Sequence, residues 1–304
     1  MKILITGACG HIGSYLSDNI HKIKKVSKTI LVDSLKSNSF NSLFNSQKKN
    51  NLNFFNKDIA DIKSLDEFDN IDLIIHCASM TNAEKSFGKE KEMFNNNINC
   101  MKTVIKYCSE NDTKLIHLSS TSVYGKQAKF VDETCEKKFL KPQSPYAKIK
   151  IMEENLLKKN INKLRFNTYR LGTISGVSKG IRFHTAVNKF CYQASLNKPV
   201  TIWRKFYNKK RPYLNLKDCF KVINYIMYKN LFNGETFDVV TKNYTVKEII
   251  DIISKFTKVK KIFVNTEILN QNSYEVISDS LLRRGFKFSK NISQDVKNTL
   301  EILR

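Results

Sequence analysis

The run Lys2-Ile3-Leu4-Ile5-Thr6-Gly7-Ala8-Cys9-Gly10-His11-Ile12-Gly13 constrains this chain more than any other stretch. A short apolar strand pattern runs into three glycines. Apolar residues then recur at Ile12, Leu16, Ile20 and Ile23, the spacing of one helix face. Strand, glycine turn and helix together form the context that a dinucleotide fingerprint requires. Gly7 allows the tight turn, Gly10 lets backbone approach a pyrophosphate, and Gly13 lets the helix pack on the strand. The helix start at His11 and Ile12 presents free N–H groups to phosphate.

Further strand patterns follow in alternation with helices. Thr29-Ile30-Leu31-Val32 ends at Asp33, twenty residues after Gly13, the distance expected of an acid that accepts hydrogen bonds from a ribose. A carboxylate there repels a 2′-phosphate, so the cofactor expected is NAD. Leu52-Asn53-Phe54-Phe55 leads to Asp58-Ile59, and Asp72-Leu73-Ile74-Ile75-His76 leads to Cys77-Ala78-Ser79. Small residues after a strand let backbone lie along a cofactor. His76 reads as a partnered strand-end histidine. Residues 93–111 read as a long helix, and Lys114-Leu115-Ile116-His117-Leu118 delivers Ser119-Ser120. The alternation predicts an α/β fold, a doubly wound parallel sheet with its ligand at the carboxyl ends of the strands.

Tyr146 and Lys150 stand four residues apart, one turn apart on a single helix face. A free tyrosine, with a pKa of about 10, is a weak base at neutral pH, and a nearby ammonium lowers that value. Tyr146 so placed is suited to moving a proton on or off a hydroxyl while hydride moves at the adjoining carbon.

Charge bears on partners. The 304 residues carry a formal net charge of +24. The lysines are scattered and no basic helix interleaved with aromatics appears, so neither nucleic acid nor a membrane surface is the expected partner. The densest cluster, Arg204-Lys205-Phe206-Tyr207-Asn208-Lys209-Lys210-Arg211, suits a small diphosphate. No apolar run reaches the roughly 18 residues of a membrane span. The N-terminal run is too short and wrongly built for a signal peptide. Seven cysteines without a C-x-x-C pair point to reduced thiols in a cytoplasm, not to a metal site or a disulfide frame.

Taken together, the glycine motif, Asp33-Ser34-Leu35, Asp58-Ile59, His76-Cys77-Ala78, Asn96-Asn97-Ile98-Asn99, Ser119-Ser120-Thr121-Ser122-Val123-Tyr124-Gly125 and Tyr146…Lys150 resemble the extended short-chain dehydrogenases, specifically the nucleotide-sugar epimerase/dehydratase family. The resemblance covers essentially the whole chain and is nearest the UDP-glucose 4-epimerase-like enzymes. It implies Ser120 as catalytic hydroxyl, Tyr146 as acid/base, and Lys150 as the group that holds ribose and lowers the tyrosine pKa. It places Asp58 and Ile59 about adenine, and Cys77, Ala78 and Asn97 along the cofactor. It also implies a homodimer formed through the helices near 93–111 and 144–157, with Met101, Tyr107, Met152 and Leu156 as uncovered apolar residues. Dehydratases of the family carry an Asp-Glu pair directly after the catalytic hydroxyl. Thr121 and Ser122 stand there instead, which disfavours elimination of water. Cys100-Met101 replaces the usual Gly-Thr. Gly172-Thr173 occupies the place of an Asn that commonly contacts substrate.

The expected organisation is a Rossmann domain over residues 1–172, rejoined by 212–241, with a smaller substrate lobe from 173–211 and 242–304. In that lobe residues 182–196, 246–256 and 293–303 read as helices. Arg182, Arg211 and Thr173 are the substrate candidates, since a guanidinium grips phosphate through paired hydrogen bonds. The function expected is NAD-dependent epimerisation of a nucleotide sugar at C4. A one-way dehydrogenase or ketoreductase on such a sugar stays open, as does, in a different class, a non-catalytic NAD-binding regulator.

Overall fold

In the computed structural model, which describes residues 1–44, 51–82, 86–127, 130–265 and 274–304, the apolar runs assemble as parallel strands. Strand β1 (Lys2–Thr6) turns through the glycines into helix α1 (His11–Asn19), then β2 (Lys28–Asp33), β3 (Leu52–Asn56), β4 (Leu73–His76), helix α2 (Glu90–Glu110) and β5 (Lys114–Ser120). A two-residue strand β6 (Phe130–Val131) precedes helix α3 (Pro145–Lys159) and β7 (Phe166–Leu171). The remainder comprises β8 (Thr173–Ser175), α4 (Ala186–Ser195), β9 (Val200–Trp203), β10 (Lys210–Asn215), α5 (Leu216–Lys229) and β11 (Thr236–Val239). It ends with β12 (Lys242–Thr245), α6 (Val246–Ser254), β13 (Lys261–Val264), β14 (Glu275–Val276), α7 (Asp279–Arg283) and α8 (Ser293–Glu301).

Seven strands form one sheet in the order β11-β7-β5-β4-β1-β2-β3, and every pairing in it is parallel. Its strands read as unbroken apolar runs because both faces are covered. Ile3 and Ile5 of β1 join one core with Leu16 of α1 and Val222, Ile223 and Ile226 of α5. Leu4 points the other way, into a core with Met101, Val104 and Cys108 of α2 and Leu157 of α3. The strand order reverses between β1 and β4, so the connections diverge there and leave a crevice at the strands' carboxyl ends.

Local chemistry sets the helix ends. Ser144 caps α3 by accepting a hydrogen bond from Ala147 N at 3.2 Å, and Pro145 sits in the first turn, where no donor is lost. Thr245 and Glu248 form a reciprocal capping box at the start of α6. The helix expected over 182–196 begins only at Ala186. Thr185 is extended at the cap, and the Arg182 carbonyl accepts from Asn188 Nδ2 at 3.1 Å, which holds 182–185 as a loop. Helix α2 starts earlier than the apolar pattern shows, at Glu90. Glu90 and Glu92 in its first turn complement the positive end of the helix dipole.

The residues expected to form the smaller lobe build a third core from α4, β9, α6 and α8. The seam with the large sheet runs through β10, which pairs with β8 and β12. Its Tyr213 enters the lobe core and its Leu214 the sheet core. Residues 212–215 thus lie in the small sheet, and the chain returns to the large one with α5 and β11. Met101 and Tyr107, expected as uncovered interface residues, are 0% and 4% exposed because α2 turns a wide apolar face onto the sheet. Met152 is uncovered, and no helix among the described residues is long and apolar enough to cross a membrane.

One polar row crosses this apolar sheet. Thr6, His76, His117 and Thr168 are register partners on β1, β4, β5 and β7. His76 Nδ1 lies 2.8 Å from Thr6 Oγ1, so it is partnered, as the sequence indicates. Burial holds the His76 pKa down at about 3 and that of His11 at about 4. Both are neutral in the folded chain at pH 7, whereas the unfolded chain takes up protons near pH 6.5. Their contribution to stability is therefore present above pH 6.5 and is lost as pH falls toward 4 and 3. Each group withdraws about 1.4 kcal/mol per pH unit once the unfolded chain is protonated. Burial also raises carboxyls such as Asp295, pushed up to about 7, and these run the other way over the same range. The test is therefore a comparison: between pH 8 and 5 the Tm should fall more steeply below about pH 6.5 in wild type than in His76→Asn. Equal slopes would contradict neutral burial of that imidazole.

Candidate active site

The crevice at the sheet switch point is closed on its far side by the lobe, and residues of both line it. Its floor is the glycine turn. Gly7 has φ +63°, and a Cβ on it would lie 2.6 Å from the Ala78 amide nitrogen. A Cβ on Gly13 would collide with the Gly7 carbonyl. A cradle this shallow admits a ligand's phosphates to bare backbone. The side chain of His11 is turned away, with Nε2 2.9 Å from the Gly176 carbonyl, so His11 and Ile12 offer backbone N–H groups.

Asp33 lies at the end of β2, buried. Its Oδ2 accepts from Cys9 N at 2.9 Å and its Oδ1 from Leu35 N at 2.8 Å. These bonds fix the carboxylate beside the turn and leave further lone pairs. Asp58 accepts from Ala60 N at 3.0 Å and pairs with the exposed Lys36 at 2.5 Å. Ile59 packs into the sheet core. Asn97 bonds both ways to the Met80 backbone, accepting at 2.8 Å and donating at 3.1 Å. It braces the loop that carries Cys77 and Ala78 and stands one layer behind the crevice, a role that spacing alone did not reveal.

Ser120 ends β5 and Tyr146 lies in the first turn of α3, and the Ser120 hydroxyl acts on the Tyr146 hydroxyl in favour of its ionised form. Lys150 Nζ lies 5.8 Å from the centroid of the Tyr146 ring. The expected Ser120, Tyr146 and Lys150 are thus one cluster, all lining the crevice. Burial raises the Tyr146 pKa, Lys150 opposes it, and the result is raised. The lowering expected from Lys150 is outweighed chiefly by burial, to which a second charge beside that ammonium, unforeseen from sequence, adds. Glu153 accepts from Lys150 Nζ at 2.7 Å and from His117 Nε2 at 2.9 Å. The i, i+3 spacing to Lys150 was the available signal. Burial disfavours the Glu153 carboxylate, but Lys150 and His117 bring its pKa down to about 2.

Arg182 reaches farther toward the cofactor turn than a pure substrate role implies. It donates to Thr81 Oγ1, and its guanidinium lies near Gly10. Burial lowers its pKa, and Tyr146 and Asp33 act against that. Arg211 lines the lobe side with Nε buried and unpartnered and its guanidinium carbon 5.8 Å from the centroid of the Tyr274 ring. Thr173 lines the crevice between them as the first residue of β8. Lys150, Arg182, Lys189, Lys209 and Arg211 all line the crevice, and no Asp or Glu among the described residues does. Such a lining suits a ligand carrying several phosphates. No group of three or more His, Cys, Asp and Glu among the described residues is arranged to hold a metal.

Residues 3–239 match the family model described as the NAD dependent epimerase/dehydratase family. A UDP-glucose epimerase of Bacillus subtilis, itself uncharacterised, is 28% identical over 79% of this chain and 76% of its own length. A dTDP-D-glucose 4,6-dehydratase of Dictyostelium discoideum is 29% identical over 83% of this chain and 62% of its own length. The fold matches the crystal structure of a UDP-glucuronic acid 4-epimerase from Bacillus cereus with a TM-score of 0.85, at 24% identity, over 100% of this chain and 99% of that one. With its glycine cradle, its Ser-Tyr-Lys cluster and a model match over most of its length, the chain belongs to the NAD-dependent epimerase/dehydratase family of enzymes.

Proposed function

We propose that this chain is a nucleotide-sugar 4-epimerase. The observation that carries the reading is the crevice itself: Ser120, Tyr146 and Lys150 gathered among cations, with no carboxylate of the described residues at its wall. Thr121, at the first position of the dehydratase acid pair, is buried with its hydroxyl on the Leu171 carbonyl at 3.2 Å. Neither it nor Ser122 can serve as a carboxylic acid would in eliminating water. The Ser122 hydroxyl, buried at the crevice without a protein partner, fits a sugar hydroxyl.

The glycine turn and the N-terminus of α1 would hold the NAD pyrophosphate, with Lys150 and Asp33 on its two riboses. NAD, when bound, accepts hydride from carbon and returns it. Tyr146 would take the proton of the C4 hydroxyl as the C–H bond gives up hydride, leaving a 4-keto sugar. Ser120 would bond the reacting oxygen in both states. Hydride returned to the opposite face, with Tyr146 giving its proton back, inverts the centre. Arg211 and Arg182 would grip the diphosphate and hold the keto sugar between half-reactions. The same groups would support one-way oxidation or reduction. A Ser-Tyr-Lys cluster turned into the crevice has no use in a non-catalytic sensor.

Product and reduced cofactor, followed together with NAD⁺ in excess over enzyme, separate the enzyme readings. Epimerisation yields product with no net NADH beyond the enzyme concentration, and Tyr146→Phe should bind NAD yet lose on the order of 10²-fold or more in rate. NADH accumulating over many turnovers would install the dehydrogenase instead.

The Asp33 carboxylate should favour NAD over NADP, and Asp33→Asn should narrow the ratio of their dissociation constants. Wild-type enzyme that binds NADP more tightly would refute that role.

We also retain a homodimer through α2 and α3, now resting on Phe94 (37% exposed) and Met152 (42% exposed). Light scattering at micromolar protein should report twice the chain mass, and a monomer would end the idea. The seven cysteines, all unpaired, fit a cytoplasmic enzyme.

A further inference from the structure

The ammonium of Lys150 has a partner that the acid/base chemistry does not call for. Glu153 is 1% exposed, lies one turn along α3 from Lys150, and takes that ammonium and the His117 imidazole on the same oxygen, Oε2. His117, also buried, continues through Nδ1 to Thr168 Oγ1 at 3.4 Å on the neighbouring strand. With Glu153 ionised, His117 donates to it from Nε2. A carboxylate buried this deeply is costly unless it is paired and hydrogen-bonded, and here it is both.

We propose that Glu153 is a positioning residue for the Tyr146–Lys150 pair, anchoring the Lys150 ammonium from below and weakening, by its own charge, the positive field that reaches the Tyr146 hydroxyl. The assignment rests on Tyr146 being the acid/base of the proposed reaction. One of the three donors of Lys150 is committed to Glu153, which leaves two for the crevice. The ammonium is thereby fixed between a glutamate and a tyrosine and cannot follow either alone. Among the described residues, the charged groups facing Tyr146 are Lys150 and Glu153 of α3 and Arg182 of the loop before α4, with the Ser120 hydroxyl of β5 beside them. Those facing Glu153 are Lys150 and, across the sheet, His117 of β5, with His76 of β4 and Cys100 of α2 in electrostatic reach. Burial is the main reason the Tyr146 pKa stays raised; Lys150 and Arg182 favour the tyrosinate, and Glu153 adds to burial in opposing it. Tyr146 therefore keeps its proton to higher pH than Lys150 alone would allow, which suits a group that must return a proton as well as take one.

Glu153→Gln removes the charge at nearly constant shape, and its amide oxygen can still accept from Lys150 and His117. The readout is the tyrosinate absorbance of Tyr146 against pH, obtained as the difference between each protein and the same protein carrying Tyr146→Phe. The midpoint should fall by about one pH unit in Glu153→Gln, the size expected when a like charge nearby is removed. The acid limb of the pH–rate profile should move down with it. A midpoint that stays put or rises would overturn the assignment, whatever the variant does to stability. Glu153→Met makes the same charge change with an adaptable side chain, so the sign is read even if the glutamine variant does not fold. The titration needs no sugar substrate. A shifted midpoint in a protein that turns over no nucleotide sugar would uphold the role of Glu153 and sink the proposed reaction.

Discussion

The crossing of two backbones, Gly7 against Ala78, is the constraint on which the rest of this structure depends. β1 and β4 are neighbours at the place where the strand order reverses, and the chains leaving them must pass within van der Waals contact. Only a residue without a Cβ, at positive φ, can occupy the first side of that crossing. The second side is held by Thr6, whose carbonyl accepts from Cys77 N at 3.1 Å and whose hydroxyl accepts from Ala78 N at 3.2 Å. The same turn starts α1 and bares its N–H groups. Fold and cofactor cradle are therefore one steric solution, and a side chain at Gly7 would damage both.

Helix α3 is fastened to this frame by two successive buried carboxylates. Glu153 faces Lys150 and His117. Glu154 takes Arg170 of β7 through two hydrogen bonds, at 3.0 and 2.7 Å, and Ser119 of β5 at 2.6 Å. Arg170 continues to the Tyr124 hydroxyl at 2.9 Å, which donates to Asp238 of β11 at 2.7 Å. Buried pairs such as these add little net stability over apolar packing, yet losing one partner costs roughly 3–5 kcal/mol. Their effect is to fix register: α3 cannot slide or roll on β5 without stranding a charge. Tyr146 on α3 and Ser120 on β5 line one crevice, so this register sets the geometry of the proposed site.

What was legible in the sequence follows from this. The glycine turn, Asp33, Ser120, Tyr146 and Lys150 are short-range features whose spacing alone dictates turn, strand end or helix face. The parallel sheet was legible because buried strands show as unbroken apolar runs. The start of α4 was not, because the bond from Asn188 to the Arg182 carbonyl competes with the helix from outside the local pattern. Nor was the bracing role of Asn97, or the reach of Arg182 toward Gly10, since each depends on a loop folded back from a distant part of the chain. His117 and Glu153 lie 36 positions apart and meet only once α3 has packed on β5. Met101 and Tyr107 were misplaced because periodicity shows that a helix face is apolar but not how wide a face the sheet will cover.

The charges of the site are sorted by depth. Lys150, Arg182, Lys189, Lys209 and Arg211 line the crevice, while Glu153, Glu154 and Asp238 lie in the layer behind it. A carboxylate at the wall would repel a diphosphate and, in the proposed reaction, compete with Tyr146 for the substrate proton. The same carboxylate one layer deeper holds a cation in place and remains out of the ligand's reach. The overall excess of basic residues says little about this, since most of them are surface lysines. What matters for the chemistry is that positive groups meet the ligand while their counter-charges are buried in the α3–sheet interface, where packing fixes them. Lys150 is where the two layers touch, and its pairing with Glu153 makes the field at Tyr146 a property of the fold as well as of the bound ligands.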